Sequence, residues 1–347
     1  LQGLTFLLLS KMTTDAAIGL GFGTAALGEA CFKSVTMALD AGFRKFDTAE
    51  AEYWYDQEAV GKALGSFFVP ELIAEDPICS KEDLKVSTKI PPWELLSIDH
   101  IRTRAAESRE TLLGFCDVPI LSEGNNDGVR GGESEETKSL KYPLDVYYIH
   151  APKCWPGWHS RCDNVKETLP LREAWLGMEA VVGLDHNAER IGLSNVHPDE
   201  LLDIIQFVKD RESSSGTANG ANPPPRMPDV LQAYADPLRP ASELRQICEE
   251  HNIEFVSYST LGTQHAMRSG SNPVLGSASI NELAKSYDRS TAEIVLSWAL
   301  QRGMSVIPRS NKEAHIRQLA NLLFEDPFLN EEDLAIIDEM GNDLNEL

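Results

Sequence analysis

Four side chains of the types needed to protonate a carbonyl oxygen recur along this sequence: Asp47, Tyr55, Lys89 and His150. The first run ends Phe46-Asp47-Thr48-Ala49, with Tyr53 and Tyr55 just beyond; the second ends Ser87-Thr88-Lys89; the third is Leu144-Asp145-Val146-Tyr147-Tyr148-Ile149-His150. A phenol titrates near pH 10 in water, and a neighbouring ammonium favours its anion, so a Tyr beside a Lys becomes a better acid. A carboxylate paired with the Lys keeps it charged and in place. An imidazole can hold the oxygen that receives the proton. The set contains no evident nucleophile and no metal site, so any electrons must come from a cofactor.

Such a constellation needs elements that bring distant residues to one rim. The runs that end in these residues are short, β-branched and aromatic, and read as buried strands. Strands are expected over Ile18–Ala26, Arg44–Thr48, Leu84–Ile90, Leu144–His150, Arg190–Asn195, Val230–Ala233, Ile253–Tyr258 and Met304–Pro308. Segments of helical spacing follow each one: Phe32–Asp40, Gln57–Phe68, Ile101–Leu113, Leu171–Leu184, Pro198–Lys209, Ser242–His251, Ile280–Arg302 and Lys312–Leu323, with a further amphipathic stretch at Glu331–Met340. Eight alternating units predict an α/β fold, a (β/α)₈ TIM barrel with long loops at its C-terminal face. A doubly wound open sheet is the rival. It would gather the polar strand ends at one switch point rather than around a ring.

The 347 residues are expected to form one barrel domain over 18–347, with an extension at 1–17 and flexible insertions at about 121–140 and 211–228, where Gly, Ser, Asn and Pro replace apolar periodicity. A formal net charge of −23 argues against nucleic acid and anionic membrane as partners. The apolar stretch Leu4–Leu9 is too short to span a bilayer. Six cysteines without a CxxC pair suit a reducing, cytoplasmic location. Cys154 and Cys162, eight apart in a Trp-rich loop with His159 between them, are expected to be free thiols, with a metal or redox role as the alternative.

Five segments together resemble the aldo-keto reductase family: Gly42-Phe43-Arg44-Lys45-Phe46-Asp47-Thr48-Ala49, Ser87-Thr88-Lys89, Leu144 to His150, Ile191-Gly192-Leu193-Ser194-Asn195 and Val306-Ile307-Pro308-Arg309-Ser310. The resemblance runs from about Ile18 to Met340 and implies a (β/α)₈ barrel that reduces aldehydes and ketones with NADPH, NADH being a possible substitute. Carried over to this chain, it implies Tyr55 as proton donor, Lys89 as the group lowering the phenol's pKa, Asp47 as partner of Lys89, and His150 as orienter of the carbonyl. It also implies cofactor contacts from Gly23, Thr24, Asp47, Ser194, Asn195, Gln232, Tyr258, Ser259, Leu261, Arg309 and Ser310, with no metal and a monomeric protein acting on a small-molecule carbonyl.

Three departures from the family pattern stand out. The usual tyrosine position, five after the Asp, holds Glu52, so three residues are inserted; Tyr55 keeps the spacing to Glu58, and Tyr53 is its rival. Where the family has an Arg for the 2′-phosphate, this chain has His315, only partly charged near neutrality. Gln318 and Leu319 stand where Glu-Asn is usual. Trp54, Trp93, Trp155 and Trp158 are expected as substrate-pocket walls suited to apolar or aromatic carbonyls. The departures leave open a second function, a catalytically weak cofactor-binding regulatory or interaction protein.

Overall fold

The computed structural model describes residues 19–72, 84–119, 139–155, 157–164, 167–214 and 223–341. All eight expected strands form: β1 (Phe22–Gly23), β2 (Lys45–Asp47), β3 (Lys85–Ile90), β4 (Leu144–Ile149), β5 (Ala188–Ser194), β6 (Val230–Tyr234), β7 (Glu254–Tyr258) and β8 (Ser305–Val306). They pair in parallel and in chain order. The ring closes where Leu20 bridges Val306 and Gly23 N donates to Pro308 O at 2.9 Å. The result is a (β/α)₈ barrel, not an open sheet.

At least one helix follows each strand, and eight make the barrel's outer units: α1 (Cys31–Asp40), α2 (Gln57–Leu72), α3 (Ile98–Leu113), α4 (Leu171–Gly183), α5 (Pro198–Ser214), α6 (Ser242–Glu250), α7 (Thr291–Gln301) and α8 (Glu313–Ala320), with Ala278–Ser286 before α7 and Glu331–Glu339 after α8. Local signals fix several starts. Ser97 caps α3 by accepting from His100 N, and Ser290 and Glu293 cap each other's backbone at the start of α7. Two short helices, Ser160–Asn164 and Thr263–Ser269, were not legible as periodic segments.

Strand alternation divides the core in two. Tyr147 and Ile149 of β4 face the helices in the large outer core, while Val146 and Tyr148 join Val230, Val256 and Ile307 in a smaller inner cluster. Gly192 on β5 makes room for this inner layer, because a Cβ there would lie 2.6 Å from the Tyr148 ring. Below it, Arg190 bridges Asp145 (2.9 Å) and Glu254 (2.6 Å). The inner layers are filled, so the open end is the C-terminal rim.

The expected extension at 1–17 lies outside the described residues, as do 120–138 and 215–222 of the two expected insertions. The second insertion begins later than its composition implied. Residues 211–214 continue α5, and Arg211 and Arg226 tie the neighbouring backbone to buried Glu179.

Candidate active site

The rim gathers the predicted tetrad. β2 ends on Asp47 and β3 carries Lys89 inward; the Lys89 Nζ donates to Asp47 Oδ1 at 2.6 Å and to Thr48 O at 2.8 Å. Lys89 is 1% exposed, so this is a fully buried ion pair. The second Asp47 oxygen accepts from Gln232 Nε2 at 2.9 Å. The Lys89 ammonium also lies 5.2 Å from the centre of the Tyr55 ring, and that ring meets the His150 ring edge-on at 5.9 Å. The three-residue insertion therefore leaves Tyr55, not Tyr53, beside Lys89 and His150. Tyr53 instead stacks on His159 at 4.3 Å.

The electrostatics differ from expectation in one respect. The Tyr55 phenol is raised above its ordinary value, first by burial and then by the Asp47 charge, with only Arg309 pulling down. The phenol is accordingly a protonated donor. Burial, and then the Lys89 charge, lower the His150 imidazole to about 3, and its Nδ1 is buried without a partner. His150 is therefore neutral.

This neutrality has a measurable consequence. Between pH 6.5 and about 3 the unfolded chain binds a proton at this histidine that the folded chain excludes. The stability it contributes is fully present above 6.5 and declines as pH falls, by up to about 1.4 kcal/mol per unit. Urea midpoints of the parent should drop more steeply from pH 7.5 to 4.5 than those of His150→Asn. Equal slopes would show that His150 is not held neutral.

Around the tetrad lies a cavity of about 410 Å³. Gly23, Asp47, Tyr55, His150, Asn195, Gln232, Tyr258, Ser259, Leu261 and Arg309 line it, as do Trp54, Trp155 and Trp158. Gly23 is required here because a Cβ would sit 2.7 Å from Ile307 O. Asn195 is fixed by donating to His150 O (2.8 Å) and accepting from the Tyr258 hydroxyl (2.6 Å). Arg309 reaches back over the rim to donate to Ala25 O. Thr24 and Ser194 are buried just behind the wall, Thr24 donating from both N (3.0 Å) and Oγ1 (2.9 Å) to Asp47 O.

Ser310 and His315, expected at the adenosine 2′-phosphate, lie outside the walls of this cavity: Ser310 accepts from Lys312 N at the start of α8, and His315 is exposed on that helix. Other expectations are not met. Trp93 is not a cavity wall. It is 4% exposed and packs behind the wall, against Trp158 at 5.4 Å and His159 at 5.2 Å. Cys154 and Cys162 are not free thiols; they form a disulfide with Cα atoms 5.4 Å apart. Cys116 is disulfide-bonded as well. The Cys154–Cys162 bridge closes the loop in which Trp155 and Trp158 stack at 3.9 Å. Sequence reasoning also missed Thr263, Gln264 and Met267, which the short Thr263–Ser269 helix brings to the cavity. Gly262 and Gly270, both at φ +74°, bracket that helix and were its only sequence signal.

Comparison with known proteins agrees with this architecture. Residues 19–342 match the model of the Aldo/keto reductase family. An aldo-keto reductase of Mycolicibacterium vanbaalenii is 30% identical over 95% of this chain and 90% of its own length. A 9,11-endoperoxide prostaglandin H2 reductase of Trypanosoma cruzi is 28% identical over 94% and 88%. Among solved structures, aldose reductase from Giardia lamblia superposes with a TM-score of 0.69 at 21% identity, covering 95% of this chain and 94% of that one. A Bombyx mori aldo-keto reductase in complex with NADP gives 0.66 at 23% identity, over 93% and 88%. The chain therefore belongs to the aldo/keto reductase family.

Proposed function

We propose that this chain is an NADPH-dependent carbonyl reductase, with Tyr55 as general acid. The observation that carries the reading is the convergence on one cavity of the Asp47–Lys89 ion pair, the Tyr55 ring and the neutral His150 ring. The wall also fits the cofactor. Asn195 and Gln232 present amides suited to a carboxamide, Tyr258 presents a ring, and Arg309 presents the cation that a phosphate prefers. When bound there, the reduced nicotinamide supplies the hydride. His150 holds the substrate oxygen, and Tyr55 donates its proton to that oxygen. The resulting phenolate is balanced by the Lys89 ammonium beside its ring, which Asp47 keeps protonated.

The substrate class is read from the other walls. Trp54, Trp155, Trp158, Tyr53 and Met267 form an apolar, largely aromatic chamber, which favours aldehydes and ketones with flat or apolar bodies. Among the described residues no helix is long and apolar enough to cross a membrane.

The reading predicts that NADPH is consumed with aromatic aldehydes, one equivalent per alcohol formed. Absorbance at the reduced nicotinamide band, followed over a panel of aldehydes with NADPH and then NADH, checks this. Binding of NADPH without turnover on any member would favour the cofactor-sensing alternative. Equal affinity for NADPH and NADH would exclude Arg309 as a contact of the adenosine 2′-phosphate.

A further inference from the structure

On the side of the Tyr55 loop away from the cavity sits a carboxylate that the proposed reaction does not use. Glu50 is 4% exposed. Its Oε1 accepts from the Tyr147 hydroxyl at 2.6 Å and from Ser108 Oγ at 2.9 Å, and its Oε2 accepts from Arg104 Nε at 2.9 Å. Its backbone N donates to Lys89 O at 3.0 Å. Gln57 extends the set, accepting from Thr88 Oγ1 at 2.8 Å and donating to Ser108 Oγ at 3.4 Å. A buried carboxylate is costly unless its lone pairs are filled. Here three side-chain donors fill them, drawn from β4 and α3.

The sequence positions of these residues matter more than their number. Glu50 lies three residues after Asp47, Gln57 two after Tyr55, Thr88 immediately before Lys89, and Tyr147 three before His150. Thr88 and Tyr147 are paired neighbours on β3 and β4, facing the helices while Lys89 and Tyr148 face inward. One buried network thus touches the chain next to every member of the tetrad without reaching the cavity itself. It has a rigid anchor in α3, whose Arg104 is also held by Glu107 at 2.9 Å.

We infer that Glu50 is a positioning residue: its carboxylate locks the Tyr55 loop to the ends of β3 and β4, so that phenol, ammonium and imidazole keep one mutual geometry. The inference rests on reading the cavity as a carbonyl-reduction site. It goes beyond that reading by naming what holds a loop lengthened by three residues in register. A buried, fully satisfied polar hub specifies a single arrangement where an apolar contact would tolerate sliding.

The test uses the full chain and the variants Glu50→Ala, Glu50→Gln and Tyr147→Phe. Turnover with an aldehyde gives kcat and KM, fluorescence titration gives NADPH affinity, and amide hydrogen exchange is followed in peptides covering 48–57 and, as control, 188–194 and 230–258. Glu50→Ala is expected to lower kcat by about 10- to 100-fold, the cost of displacing reacting groups by about 1 Å. NADPH affinity should change little, because Asn195, Tyr258 and Arg309 do not touch the network. Exchange should rise in 48–57 alone. Glu50→Gln, which keeps the shape and an acceptor for Tyr147, should recover much of the rate. A kcat near the parent's in Glu50→Ala overturns the inference. So does a rise in exchange across the whole barrel with rate and affinity falling together, which would mark a stability role only. If Glu50→Ala does not fold, Tyr147→Phe reports the same split. If the parent reduces no carbonyl, the functional reading fails, and unchanged exchange in 48–57 would overturn the positioning role by itself.

Discussion

Tyr55→Phe is expected to lower kcat by about 10²- to 10⁴-fold, the usual contribution of a positioned general acid, while Tyr53→Phe leaves turnover nearly unchanged. The phenylalanine keeps the ring that packs against His150 and lies over Lys89, so the loss reports the hydroxyl rather than a cavity. NADPH affinity should be similar in both variants, because the tyrosine proposed to present its ring to the cofactor is Tyr258. Tyr53 has a different environment: 39% exposed and stacked on His159. Steady-state rates on one aldehyde, with separate titrations of NADPH, decide the matter. A large loss in Tyr53→Phe with a normal Tyr55→Phe would move the proton donor and invalidate the geometry argued above.

Lys89→Met is expected to cost about 3–5 kcal/mol of stability as well as most of the activity. Removing one partner of a buried ion pair leaves the other charge without compensation. Asp47 would keep only the Gln232 amide among side-chain donors. The double variant Lys89→Met/Asp47→Asn should regain much of the stability, because the uncompensated charge is gone, and none of the rate, because nothing remains to balance the phenolate. Urea denaturation of the parent, the single and the double variant measures both effects. A single variant as stable as the parent would overturn the stabilising role of this ion pair.

The barrel was legible because its signal is repeated: eight apolar runs, several with polar groups at their ends and each followed by helical spacing. Tyr55 was legible through its spacing to Glu58, which holds because α2 starts at Gln57 whatever the length of the loop before it. What escaped depends on contacts between segments remote in sequence. Trp93 follows a strand end just as a wall residue would, yet three rings from two other loops bury it. The bond between Cys154 and Cys162 is a matter of loop path, which a spacing of eight does not specify. Thr263–Ser269 buries no residue and so leaves no periodic stripe to find. The Glu50 network was invisible for the same reason: its members come from the loop after β2 and from α2, β3, α3 and β4, and none is unusual in its local sequence.

Loops on a barrel rim are commonly treated as interchangeable modules, one strand end at a time. The stack of Tyr53 on His159 denies that freedom here. The inserted residues after β2 and the disulfide-closed segment after β4 present matching aromatic faces, with Trp93 beneath both. A chimera that imports either loop alone inherits half of a joint, an aromatic surface with nothing to cover it. Transplanting the substrate preference proposed for this protein, or replacing it, therefore means moving the two segments as a pair.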